Sequence, residues 1–89
     1  MPRRSELRWQ TRFGSWVHDF GVSNLVQELQ RVGEPISQKG VYAWMSGDGR
    51  PNYERALVLT RISGGRVRLE DIARHRHEVR GRGQETTRP

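Results

Sequence analysis

Cysteine is absent from this 89-residue chain. No disulfide and no cysteine-ligated metal site can form, so the fold depends on packing alone, which suits a reducing cytoplasmic setting. Apolar residues are also scarce, at 33%, and no apolar run approaches a membrane span or resembles a signal peptide. These shortages predict one small cytoplasmic domain with a thin core. All-helical folds suit such a core because their contacts are local.

Sequence signatures of catalysis are missing as well. The chain contains no phosphate-binding glycine loop and no nucleophile–histidine–acid ordering, so we expect neither an enzyme nor a cofactor. The carboxylates of Glu54, Glu70 and Asp71 fall where helices are predicted to begin, and acids are favoured there by the helix dipole. His75 and His77 would diverge on a helix, so we expect no metal site from them, or from His18 and Asp19.

Positive charge is in excess, and it is concentrated at the two ends. The net charge is +6. Residues 1–12 contain four arginines against one glutamate, residues 72–89 contain five against two, and the segment between them is balanced. Basic arms around a neutral domain are typical of proteins that bind polyanions. Arg3, Arg4 and Arg8 are therefore predicted contacts for a DNA backbone.

Hydrophobic periodicity predicts an all-α domain of four to five helices over residues 1–79, followed by a basic, disordered tail over residues 80–89. Helices are expected over residues 5–20, 23–32, 37–46, 52–62 and 72–79, capped in turn by Ser5, Ser23, Ser37 and Asn52 for the first four. The alternating segment 66–69 suggests a short strand.

Aromatic residues follow a helical spacing in the first predicted helix. Trp9, Phe13, Trp16 and Phe20 recur on one face of a 3.6-residue period. Such a stripe could stack on the bases of a single strand, as in some nucleic-acid binders. A core-facing stripe explains the same spacing more simply, and we interpret it so.

The predicted helix over residues 37–46 carries the functional signal. Ile36 and Val41 are spaced as the two members of a hydrophobic staple around the Ser37 cap. A short helix of this kind, joined by a turn to the helix before it, is the second half of a helix-turn-helix unit, which enters the major groove of DNA.

The two faces of this helix are expected to differ in chemistry. Val41 and Trp44 should point inward, whereas Gln38, Lys39 and Tyr42 should point outward. Glutamine can bind adenine through N6 and N7, and lysine can bind guanine through O6 and N7. The predicted base-contacting residues are therefore Ser37, Gln38, Lys39 and Tyr42.

The stretch Ile36-Ser-Gln-Lys-Gly-Val-Tyr-Ala-Trp-Met-Ser-Gly47, followed by Arg50-Pro51 and Glu54-Arg55-Ala56-Leu57, resembles the Cro/YdaS-type regulators of phages and prophages. That family belongs to the wider lambda-repressor-like helix-turn-helix group. The ending Ile62-Ser-Gly-Gly-Arg-Val-Arg-Leu-Glu-Asp-Ile72 is also similar, although the turn before Ile36 is longer than the family's. The resemblance implies a dimeric repressor of transcription at a short inverted repeat, with backbone contacts from Arg50, Asn52 and Arg55.

Two other functions remain open on the sequence alone. The helix-turn-helix could serve as the scaffold of a protein-interaction module, such as an antitoxin or a phage-encoded inhibitor. The arginine-rich tail could instead bind RNA. We also predict that the strand near residues 67–69, or the apolar side of the last helix, forms a two-fold dimer contact.

Overall fold

A computed structural model describes the backbone of residues 9–85 and the side chains of residues 9–79. Arg3, Arg4, Arg8 and the predicted cap Ser5 lie outside the described residues, as does the end of the predicted tail, residues 86–89. Five helices form the described part, which confirms the all-α prediction: α1 (Arg12–Phe20), α2 (Val22–Arg31), α3 (Gln38–Ser46), α4 (Tyr53–Ile62) and α5 (Leu69–Glu85). None of these helices is both long and apolar enough to cross a bilayer.

α1 begins later than the periodicity suggested. Thr11 is its N-cap, and the Thr11 hydroxyl accepts a hydrogen bond from the Gly14 amide at 2.9 Å. The prediction that the helix includes Trp9 was therefore wrong, because Trp9 lies in a turn before the cap and fits the periodic pattern only by packing against the core. Phe13 and Trp16 are buried, and Trp9 and Phe20 pack against them. The aromatic stripe is thus a core stripe.

The start of α2 corrects a second prediction. Its N-cap is Gly21, at φ = 94°, rather than Ser23, which lies inside the first turn. A side chain at Gly21 would be strained at that φ and would also approach the Asn24 side chain to 3.0 Å. Gly21 therefore both ends α1 and caps α2. The sequence pattern had assigned only the first role to Gly21 and the second to Ser23.

The segment over residues 66–69 forms no strand within the described range. The Ser63 hydroxyl instead accepts a hydrogen bond from the Val67 amide at 3.1 Å, in a tight turn after α4. Val67 is fully buried, and Leu69 already begins α5. The alternation that suggested a strand arises because a single valine in this turn fills the core.

α5 is longer than predicted. It runs from Leu69 to Glu85, so position 80, where the tail was predicted to begin, lies inside the helix. Ile72, His75 and Val79 are buried on it, whereas Arg76 is only half-buried. Spacings of three and four residues both fit a helical face, so the sequence alone does not choose between His75 and Arg76 for the buried side. α5 packs against α1, α3 and α4 and so closes the core.

Candidate nucleic-acid interface

The amino end of α3 is built from local contacts. Ser37 is the N-cap, and its hydroxyl accepts a hydrogen bond from the Gly40 amide at 3.1 Å. Ile36 lies over this first turn. A Cβ on Gly40 would come within 2.6 Å of Ile36 Cγ1, so glycine at this position lets the staple close. The apolar spacing that predicted the staple gives no sign of this steric requirement for glycine at position 40.

The two faces of α3 are divided as predicted. Val41, Trp44 and Met45 are buried in the core. Ser37, Gln38 and Lys39 are exposed, and Tyr42 keeps 44% of its surface open. The four predicted base-contacting residues therefore share one solvent-facing surface at the amino end of α3.

Gln38 connects this surface to α2. Its side-chain amide donates a hydrogen bond to the Ser23 hydroxyl at 2.9 Å. The contact joins the first turn of α3 to the first turn of α2, so the amino ends of the two helices meet. Sequence analysis had given Ser23 the role of a cap and therefore missed it as a partner of Gln38.

The start of α4 is fixed to the chain just before α3. Asn52 caps α4 by accepting a hydrogen bond from the Arg55 amide at 2.8 Å. Arg55 Nη2 then donates to the Pro35 carbonyl at 3.0 Å, and its Nε lies 3.6 Å from a Glu34 carboxylate oxygen. Arg55, predicted as a DNA-backbone contact, is thus engaged within the chain, whereas Arg50 and Asn52 are exposed.

These contacts bring the amino ends of three helices to one edge of the domain. Gly21 gives α2 no side-chain cap, and Ser37 and Asn52 each occupy one amide of their helix. The remaining first-turn N–H groups carry partial positive charge and are suited to phosphate oxygens. Lys39 is exposed beside them, and no carboxylate of residues 9–79 forms an ion pair with it.

The histidines are not arranged as a metal centre. His75 is buried and hydrogen-bonded to protein groups, whereas His77 is exposed on the same helix. Within the described side chains, no group of three or more potential ligand residues is placed to hold a metal ion.

Known proteins do not identify this site. The chain matches no protein-family model, no curated protein and no solved structure. Interpretation of the site therefore depends on its own geometry.

Proposed function

We propose that the protein is a sequence-specific regulator that binds double-stranded DNA by placing the amino end of α3 in the major groove. The observation that carries this proposal is the exposed polar turn of α3, with Gln38, Lys39 and Tyr42 directed to solvent from a helix whose opposite face is buried. Helices of this kind present their first turn to base edges.

The surrounding edge supports the same orientation. The first turns of α2 and α4 flank the start of α3, and their free amide groups can bind phosphates on either side of a groove. Arg50, exposed in the loop between α3 and α4, adds a positive charge that can reach the backbone. α3 would thus contact the bases, and the elements that flank it would fix the position of the protein along the duplex.

The regulatory action that we propose is occlusion of a promoter, because binding of α3 in the groove is by itself enough to block access to the DNA. A two-fold dimer on an inverted repeat would double the number of bases read. Of the dimer surface expected from sequence, Val67, Ile72 and Val79 are buried within the chain, whereas Leu69 is exposed. The dimer contact would use Leu69 together with Tyr53, which is exposed at the start of α4. Sedimentation of the protein with and without DNA tests this part.

Selection of binding sites from a random double-stranded DNA pool tests the proposal itself. A sequence-reading protein should enrich a consensus and should lose affinity steeply between 50 and 200 mM salt, as expected of DNA binders that neutralise several phosphates. A scaffold for protein partners would enrich no consensus. Competition with single-stranded RNA separates the third possibility, because an RNA binder would be displaced from duplex DNA.

A further inference from the structure

His75 forms a buried polar junction at the carboxyl end of α3. The residue lies on α5 and is 1% exposed. Its Nε2 atom is 3.1 Å from the Trp44 carbonyl oxygen and 3.0 Å from that of Met45. Because carbonyl oxygens only accept hydrogen bonds, Nε2 must carry the proton and donate to both.

The other ring nitrogen is directed to α1. With the proton on Nε2, Nδ1 is an acceptor, and it takes the hydrogen bond of the Thr11 hydroxyl. The same hydroxyl accepts from the Gly14 amide and so caps α1. The Phe13 ring meets the imidazole edge-on, with centroids 5.5 Å apart. The neutral ring is therefore fully satisfied and joins α1, α3 and α5.

At the carboxyl end of α3, the Met45 carbonyl has His75 as its hydrogen-bond donor. The amides of Gly47 and Gly49 bond to the carbonyls of Trp44 and Ala43, which leaves the Met45 carbonyl to His75. α3 has nine residues, so its exposed first turn lies only about 10 Å from this anchor at 1.5 Å per residue. A loosened anchor would rotate or shift the exposed residues relative to a groove.

We propose that neutral His75 is a positioning residue for DNA binding, which holds the carboxyl end of α3 so that Gln38, Lys39 and Tyr42 meet the bases in one orientation. The inference rests on the proposed function, since it concerns the same helix. His75 itself is buried, so its role in this proposal is to position α3 and not to contact a base.

The surroundings of His75 favour its neutral form. Burial lowers the pKa of the ring below its usual 6.5, while hydrogen bonds to the Met45 and Trp44 carbonyls and the charge of Glu78 oppose that shift. Arg12 from α1 and Asp71, Arg74 and Glu78 from α5 line the same surface cleft, and α3 contributes only its carbonyl groups. Arg12 and Asp71 are themselves a pair, at 3.8 Å.

The direction of the pH effect follows from the lowered pKa. Between pH 6.5 and the lower pKa of the folded state, the unfolded chain binds a proton at this position and the folded chain does not, so the free energy of unfolding decreases as the pH falls through this interval. A proton on Nδ1 would also force the Thr11 hydroxyl to give up its role as donor. We therefore expect acid to loosen the carboxyl end of α3 first, and the exposed face of the helix only afterwards.

Three variants separate positioning from folding. His75→Gln keeps a side-chain N–H donor and cannot titrate, whereas His75→Leu removes the donor. His77→Gln is the matched control, since His77 is exposed on the same helix. Affinity is measured for the selected duplex and for a scrambled duplex from pH 7.5 down to the lowest pH at which circular dichroism shows the wild type to be folded.

At pH 7.5 we expect His75→Leu to lose roughly ten- to a hundredfold in affinity for the selected duplex, as for loss of a buried hydrogen-bond donor, with little change on the scrambled one. His75→Gln should stay within severalfold of the wild type. As the pH falls, the wild type and His77→Gln should lose affinity for the selected duplex, and His75→Gln should not.

Parallel pH profiles for the wild type and His75→Gln would overturn the proposal, and so would undiminished discrimination by a folded His75→Leu. If His75→Leu does not fold, the His75→Gln profile decides alone. Hydrogen exchange of the α3 amides, measured without DNA, distinguishes the two levels of failure. Wild-type protein that enriches no consensus overturns the proposed function, and with it this role, even if the α3 amides lose protection, relative to their intrinsic exchange rates, in acid.

Discussion

The two ends of α3 are held in different ways. Its amino end is formed by neighbouring residues, the Ser37 cap and the Ile36 staple, and it is open to solvent. Its carboxyl end is buried and bonded to His75, about thirty positions along the chain. The two ends therefore differ in their surroundings: the amino end is exposed and is linked to α2 by the Gln38–Ser23 hydrogen bond, whereas the carboxyl end is fixed in the interior.

The largest expected effect is on the buried face. Trp44, 4% exposed, packs in the core, and Trp44→Ala should lower the free energy of unfolding by about 3–5 kcal/mol, as for other large aromatic truncations. Chemical denaturation measures the loss. Tyr42→Ala is the control on the exposed face and should have little effect on stability. Equal losses in the two variants would mean that the faces of α3 do not differ.

The exposed face should determine which sequence is bound. Gln38→Ala or Lys39→Ala should each remove roughly 1–3 kcal/mol of discrimination at one or two base pairs, because one side chain reads them. Binding to a panel of single-base variants of the selected site gives the measurement. Gln30→Ala, exposed at the far end of α2, is the control. Undiminished discrimination in both α3 variants would assign base contact to another element.

Ser23→Ala refines the test of Gln38. In the free chain the Gln38 amide is held by the Ser23 hydroxyl at 2.9 Å. If Gln38 reads a base, removal of this hydroxyl should leave the preferred base unchanged, since the glutamine remains. A changed preference in Ser23→Ala would indicate that the pair, rather than Gln38 alone, sets the contact.

The local character of the amino end is open to a smaller test. Ser37→Ala should lower the free energy of unfolding by about 1 kcal/mol, because the Gly40 amide loses its acceptor. Ser37→Gly should lower the free energy of unfolding by only roughly a few tenths of a kcal/mol, because glycine is tolerated at N-caps. Thermal unfolding of the two variants compares them. A negligible effect of Ser37→Ala would place the start of α3 under tertiary control, like its end.

The smallest effect is expected at the flank of the interface. If Arg50 binds one phosphate, Arg50→Gln should reduce the slope of log affinity against log salt by about 0.9, without altering the consensus. Arg61→Gln, exposed in the last turn of α4, is the matched change of charge at the other end of that helix. If the two variants have equal salt slopes, Arg50 contributes only to the overall positive charge and does not contact a phosphate.

Several elements followed directly from sequence. Helices α3 and α4, with their caps Ser37 and Asn52, and the inward facing of Val41 and Trp44 all agree with the structure. These features depend on residues within about four positions of one another, and a capping side chain or an apolar spacing is visible in the pattern itself.

Some errors are local, such as the start of α1 and the turn at Val67, whereas other features were missed because a residue's partner is distant in sequence. Ser23 was read as a cap because no local pattern reveals its bond to Gln38. Arg55 was predicted as a DNA-backbone contact, which stays a prediction, and its sequence position does not show that its guanidinium also lies against Glu34 and the Pro35 carbonyl. The same limitation hid His75, whose spacing on α5 fits the buried face no better than that of Arg76.

The sequence by itself therefore determined an all-helical domain and the polar exposed turn of α3, because short-range spacing and capping decide both. Only the tertiary structure decided how that turn is held. The amino ends of α2, α3 and α4 meet through Ser23 and Arg55, and the carboxyl end of α3 is fixed through His75. The physical reason is that a buried carbonyl such as that of Met45 is stabilised by a hydrogen-bond donor wherever the fold supplies one, and that donor need not be near in sequence.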